Sequence, residues 1–244
     1  MRRPYFNKEY TAQVEEYQKV GRRTWVEKDF TRSNLASSNA LFTEDSLKKR
    51  SPVPKDLTVV ALVAGLSFDQ QTTGNLNKFQ VDITAILGSK LYYWVRTENF
   101  GLEYFVFKWP EDYLASDRII EISQFVGDYD FKPFSLFVSG FQINPDGCVL
   151  ATGYDLDGNM HWTRSQLRER FPWAPVRQSR WFHIPLGRIL EPVGQDAFLR
   201  LRELAEASAR TSFDVPISKL LLVEEQRWYM EKRFTIASTQ ETPI

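Results

Sequence analysis

The 244-residue chain has one cysteine, Cys148, and two histidines, His161 and His183. A single thiol excludes an internal disulfide framework and any multi-cysteine metal site, and two imidazoles leave little from which to build zinc ligation. A reducing, cytoplasmic location is the expectation. Net charge is missing as well: 31 Lys and Arg balance 31 Asp and Glu, so no global field draws the protein onto nucleic acid or an anionic membrane. The longest apolar run, LTVVALVAGLSF from Leu57 to Phe68, is too short to span a bilayer, and the opening MRRPYFNKEY has no apolar signal core. No membrane association is expected. Gly-rich phosphate loops and His-Glu-x-x-His are absent. DLDGN, Asp155 to Asn159, fails as a calcium loop because Met160 stands where glycine is required and Gln166 where glutamate is required. It reads as a turn, and no cofactor or metal is expected.

What is present suffices for a folded domain, with 43% hydrophobic and 14% aromatic residues. Residues 1–56 carry 12 Lys and Arg against 8 Asp and Glu. They read as a basic arm in which Tyr10, Val14 and Tyr17 share one helical face, with loop in TRSNLASSNALF and KKRSPVPKD. Such an arm packs on the domain or on a protein partner. Residues 57–244 form the domain proper. Strands are expected at Leu57–Phe68, Leu91–Asn99 and Leu102–Trp109, and a helix at Ser116–Val126. FSLFVSGFQI and CVLATGYDL make a hairpin turned by Asn144-Pro145-Asp146-Gly147. A short helix at Thr163–Phe171, capped by Thr163, precedes the strand WFHIPLGRIL. An amphipathic helix at Asp196–Ala209 places Ala197, Leu201, Leu204 and Ser208 on one face, and two closing strands follow, ISKLLLVEE and WYMEKRFTIA. The class is α+β.

The order of elements repeats. When LEYFVF is set over FHIPLG, each is followed by a loop, a helix and an apolar strand, and Glu103 falls on His183 at an offset of 80 residues. By strand alternation Glu103, Phe105 and Phe107 share one face, as do His183, Pro185 and Gly187. Two pseudo-symmetric lobes would bring those faces to a common central cleft.

From Leu57 to Ser238 this layout, together with FHIPLGRIL and the ending LLLVEEQRWYMEKRFTI, resembles the 2H phosphoesterases, the superfamily of LigT-like 2′-5′ RNA ligases and cyclic phosphodiesterases. The resemblance implies a two-lobed LigT-like fold, with antiparallel sheets around a cleft and helices flanking them. It also implies one His-x-Thr/Ser strand per lobe, in which one histidine is the base, the other the acid, and the hydroxyls hold the phosphate. The chain keeps one of those four groups. His183 stands in the second motif with Pro185 in place of the hydroxyl, and the first motif has Glu103 and Phe105. Neither a pyrrolidine nor a phenyl ring donates to a phosphate oxygen.

Three functional readings follow. The first is a degenerate relative whose cleft binds a nucleotide, an RNA end or a protein segment without efficient chemistry. Its binding candidates are Arg188, Arg180, Tyr104 and Trp181, basic or aromatic residues beside the motifs. The second is a variant phosphodiesterase acting on 2′,3′-cyclic or 2′-5′ diesters, with His183 and Glu103 as the catalytic acid/base pair. The third is a structural subunit held to a protein partner by residues 1–56. The plain alternatives are a core histidine at His183, core aromatics and surface arginines. His161-Trp162-Thr163 matches His-x-Thr by letter, but it sits at a helix start only 22 residues before His183 and is taken as a coincidence.

Overall fold

β1 (Asp56–Gly65) collects the chain's longest apolar run, and from Val59 to Ala64 both of its faces are buried. A strand apolar on both sides belongs in the middle of a covered sheet, and β1 lies between β3 (Gly101–Lys108) and β8 (Leu220–Arg227), with β9 (Lys232–Ser238) outside β8. The second sheet runs in the order β2 (Tyr92–Trp94), β6 (Ile184–Ile189), β5 (Cys148–Tyr154), β4 (Phe134–Ile143), β7 (Ser212–Ile217). All pairings are antiparallel. These coordinates are a computed structural model, and it describes residues 6–27 and 35–240.

The internal repeat is a property of the sheets. The neighbour order β3-β1-β8-β9 in one is matched by β6-β5-β4-β7 in the other. In each half the strand that carries a motif leads through a helix into a strand of the opposite sheet. β3 passes through α5 (Ser116–Asp128) to β4, and β6 passes through α7 (Gln195–Ser208) and β7 to β8. This exchange ties the halves together, and one apolar cluster runs through both sheets and these helices, from Val60 and Leu62 to Val138, Val149, Ile122 and Leu201. Each fully buried Leu, Ile or Phe of that cluster stabilises the fold by about 2 kcal/mol relative to exposure.

Several boundaries differ from the sequence expectation. The turn Asn144–Gly147 joins β4 and β5 as expected, with Gly147 at φ 84. The expected strand Leu91–Asn99 is only β2 followed by a 3-10 turn at Thr97–Asn99. A helix that the sequence reading did not assign, α4 (Gln70–Leu87), packs Leu76, Phe79, Ile83 and Leu87 inward. Its signals are present: Asp69 accepts from the Thr72 amide at 2.8 Å, and Gly88 ends it with φ 59. β7 was also unassigned, since Pro216 interrupts its pattern; Pro216 sits there on an edge strand.

The arm is structured where it is described. α1 (Phe6–Glu27) carries the face of Tyr10, Val14 and Tyr17 onto the domain. Gln13 Nε2 donates to the Gly153 carbonyl at 2.9 Å, Thr24 Oγ1 donates to that of Ile143 at 2.8 Å, and Tyr17 is buried. Two short helices follow: α2 (Ala36–Asn39) lies inside the first stretch that the composition presented as loop, and α3 (Glu44–Lys48) fills the gap between that stretch and the second. Phe42 holds them by inserting against Tyr93 and Tyr229. The first residues of the expected loop, 31–34, lie outside the described residues, as do 1–5 of the arm. Among the described residues no helix is long and apolar enough to cross a membrane.

Candidate functional site

A turn sets the site. The Asp155 carboxylate accepts from the amides of Gly158 at 3.1 Å and Met160 at 2.6 Å, and Gly158 takes φ 76, so DLDGN is a turn that launches α6 (Asn159–Arg170). The helix therefore begins four residues before Thr163. Thr163, expected to cap it, is buried inside it instead, because Asp155 already serves the free amides. The earlier start also brings His161, Arg164 and Arg168 onto one helical face by their i, i+3, i+7 spacing.

That face borders a pocket of about 640 Å³. α1 lines it with Glu9, Gln13 and Glu16, the segment before β6 with Gln178, Arg180 and Trp181, and β3 with Phe105. Arg164 is the centre of the arrangement. Its Nε donates to the Tyr104 carbonyl at 2.7 Å, and its Nη2 donates to the carbonyls of Glu103 at 2.9 Å and Trp181 at 3.4 Å. The guanidinium lies 4.7 Å from the Phe182 ring centroid. One side chain thus joins β3 at Glu103 to the stretch just before His183, the two places where the repeat sets its motifs. Burial lowers the Arg164 pKa to about 10, against the pull of Tyr104 and Glu103, so it stays charged at neutral pH. No simple pattern in the sequence announced Arg164; only the helix register and the 60 residues of chain between it and Tyr104 place it there.

The two predicted catalytic residues are both within the field of this cation but are not among the residues that line the pocket. His183 immediately precedes β6, its Nδ1 is buried without a partner, and the Trp181 ring meets it edge-on at 6.0 Å. Burial, then Arg164 and Arg188, lower its pKa to about 4, so the imidazole is neutral at pH 7. Glu103 is governed by the opposite sign of the same effect: burial raises its carboxyl pKa, while Arg164, the Ser179 amide and Arg177 oppose the rise.

The expected face of Glu103 is corrected by the register of β3. Val63 pairs with Glu103 but Leu62 pairs with Phe105, so Tyr104 is an extra residue at a bulge. Phe105 and Phe107 turn into the large core with Leu62, and Glu103 turns the other way with Val63, Ala61 and Val106. Glu225, paired with Val59 in β1, shares that side; burial is the main reason its pKa rises to about 7, and Glu103 adds to the rise.

The binding candidates divide. Trp181 and Arg180 line the pocket. Tyr104 is 1% exposed and sits in the core, turned inward at the bulge. Arg188 serves the fold: it forms an ion pair with Asp146 at 2.7 Å and donates to Ser38 Oγ at 2.7 Å and to the Tyr229 hydroxyl, tying α2 and the 228–230 turn to β6. Tyr93, the neighbour of Tyr229 in this cluster, is buried and donates to Glu231 at 2.6 Å. His161, set aside in the sequence, is at the pocket, 4.8 Å from the Phe182 ring and 3.9 Å from Glu9. Burial and Arg164 lower its pKa to about 4, and its Nε2 is buried without a partner. Among the described residues no group of three His, Cys, Asp or Glu forms a metal centre.

No protein-family model and no curated protein sequence matches the chain. Solved structures do match in fold. The crystal structure of Escherichia coli LigT in its apo form superposes with a TM-score of 0.51 at 10% identity, over 76% of this chain and 100% of LigT. A conserved protein of unknown function from Agrobacterium tumefaciens superposes with a TM-score of 0.57 at 11% identity, over 75% of this chain and 85% of the other. The fold is LigT-like, an α+β arrangement of antiparallel sheets.

Proposed function

We propose that this LigT-like frame binds a phosphate-bearing ligand, a nucleotide or an RNA end, in the pocket beside Arg164, without efficient phosphodiester hydrolysis. The carrying observation is Arg164 itself, a half-buried cation whose hydrogen-bond partners among the described residues are carbonyl oxygens only. Buried charges are ordinarily paired, and an anion entering the pocket supplies the missing charge. Arg168 and Arg180 add two guanidiniums at the rim, and Trp181 adds a ring for a base. The weakness of the chemistry follows from the motif positions. Pro185 and Phe105 offer no donor, Phe105 is turned into the core, and with Glu103 at the first motif position His183 has no second imidazole to work with there.

One observation favours a second reading, an active variant phosphodiesterase. Arg164 acts on both Glu103 and His183, so a carboxyl with a raised pKa, a neutral imidazole and a cation are within one another's field, the elements of acid/base work with a charged intermediate stabilised. Incubation with 2′,3′-cyclic nucleotides and 2′-5′ linked dinucleotides, alongside calorimetric binding, separates the two readings. Binding without turnover is the expected result. Turnover abolished by either His183→Ala or Glu103→Gln would establish the variant enzyme and sink the first reading.

A further inference from the structure

Resting on the reading that the pocket takes a phosphate-bearing ligand, we infer that it selects a small terminal phosphate monoester, anchored on the free edge of Arg164, and that α1 excludes a continuing polynucleotide chain. The Nε and Nη2 of Arg164 are occupied by three carbonyls, and among the described residues its Nη1 makes no hydrogen bond. Arg164 is thereby fixed in orientation before any ligand arrives, with one amino group left over in a pocket it lines. Arg168 stands one helical turn along, and Arg180 lies on the segment leading to β6. Three guanidiniums line the pocket together with the carboxylates of Glu9 and Glu16, and a monoester, with three terminal oxygens and close to two negative charges at neutral pH, engages them more fully than a diester with two such oxygens and one charge. His161 contributes from the same helix face a buried Nε2 with no partner.

Size comes from α1. Its Tyr17 ring packs 4.7 Å from Trp181 and 5.5 Å from Tyr154. Gln13 and Thr24 fasten the helix along β5 and β4, and Gly21 passes within 3.3 Å, measured from an added Cβ, of the Gln142 side chain. The surface of β5 and β4 beside Trp181 is taken by the protein's own helix. About 640 Å³ remains, the size of a site for one small molecule.

The test is calorimetry on the full chain with inorganic phosphate, adenosine, adenosine 5′-monophosphate, adenosine 2′,3′-cyclic monophosphate and a 5′-phosphorylated RNA ten-mer. Adenosine 5′-monophosphate is expected to bind at least tenfold more tightly than adenosine, the cyclic diester and the ten-mer. Arg168→Ala and Arg180→Ala are each expected to weaken it several-fold while leaving adenosine unchanged. Because an Arg164 substitution also removes the bond between β3 and the β6 approach, its role is read instead by nitrogen-15 NMR of arginine side chains, where the Arg164 Nε–H signal is expected to shift with inorganic phosphate. Equal affinity for the cyclic diester or the ten-mer, no loss in the Arg168 and Arg180 variants, or an unmoved Arg164 signal would each overturn the inference while the binding reading stands. If none of the phosphate-bearing compounds binds, both fall.

Discussion

The two halves of the molecule share a strand order and differ in what they bury. On the first, the bulge at Tyr104 sends Glu103 to the side of Val63 and Val106, where Glu225 also lies, so two carboxyl groups are withdrawn from water beside an apolar cluster. On the second, His183 and, across Phe182, His161 are withdrawn from water beside Arg164. Desolvation acts on both and has opposite consequences, raising the carboxyl pKa values and lowering those of the imidazoles. In each half desolvation favours the uncharged form of these groups, and Arg164 acts on Glu103 and on both imidazoles. One topology, used twice, carries two electrostatic environments because the side chains that fill it differ.

This contrast can be broken at several points. The strongest is Gly153 of β5, where a Cβ would lie 1.9 Å from the Phe182 carbonyl. Backbone cannot yield as a flexible side chain does, so Gly153→Val is expected to destabilise by about 3 kcal/mol, detaching the approach to His183 from its sheet. A urea midpoint within error of the parent would show that the close approach is dispensable.

Next in size is the pH dependence of the first half. The folded pKa of Glu225 is raised to about 7 from 4.5. Its contribution is therefore present below pH 4.5 and is lost as pH rises through 7. Glu225→Gln cannot ionise, so its stability relative to the parent should improve by about 3 kcal/mol between pH 4.5 and pH 8. Urea titrations at both pH values measure this, and parallel curves would remove Glu225 from the contrast.

The second half should titrate the other way. His183 is lowered from 6.5 to about 4, so its contribution is present above pH 6.5 and is lost as pH falls through 4. The parent should lose about 2 kcal/mol more than His183→Gln between pH 7 and pH 4, a figure reduced for the partial exposure of the ring. If both variants changed the pH slope in the same direction, the opposition of the halves would be refuted.

The smallest effect concerns α1, which is fastened to β5 and β4 of the second sheet. Gln13→Ala removes the bond to the Gly153 carbonyl and should cost about 1 kcal/mol. Amide hydrogen exchange should quicken across α1 and leave β3 and β8 unchanged; faster exchange in β3 as well would mean that the helix braces both halves.

Much of the fold was legible because it follows local rules. The Pro-Asp-Gly turn, the buried run of β1 and the amphipathic pattern of α7 each need only a few neighbouring residues to decide their form. α4 carries equally local signals in Asp69, Gly88 and the spacing of Leu76, Phe79 and Ile83, set against Thr72, Thr73 and Gly74 in its first turns, which are weak helix formers. Face assignments failed at β3, since a single inserted residue reverses the alternation and its position depends on the partner strand. The site was half legible. His183, Trp181 and Arg180 sit in sequence beside the motif, while Arg164 and His161 arrive from a helix whose start was misplaced by the Asp155 turn.

The sequence by itself determined the class, most of the order of elements and the internal repeat, because composition, periodicity and residue chemistry are properties of the chain. The tertiary structure alone decided that Arg188 supports the fold and Arg164 faces the pocket, that Glu103 and Phe105 part company, and that α1 closes one side. These depend on register and on contacts between residues far apart in the chain, and an arginine carries the same charge in either place until its neighbours take up, or leave free, its donors.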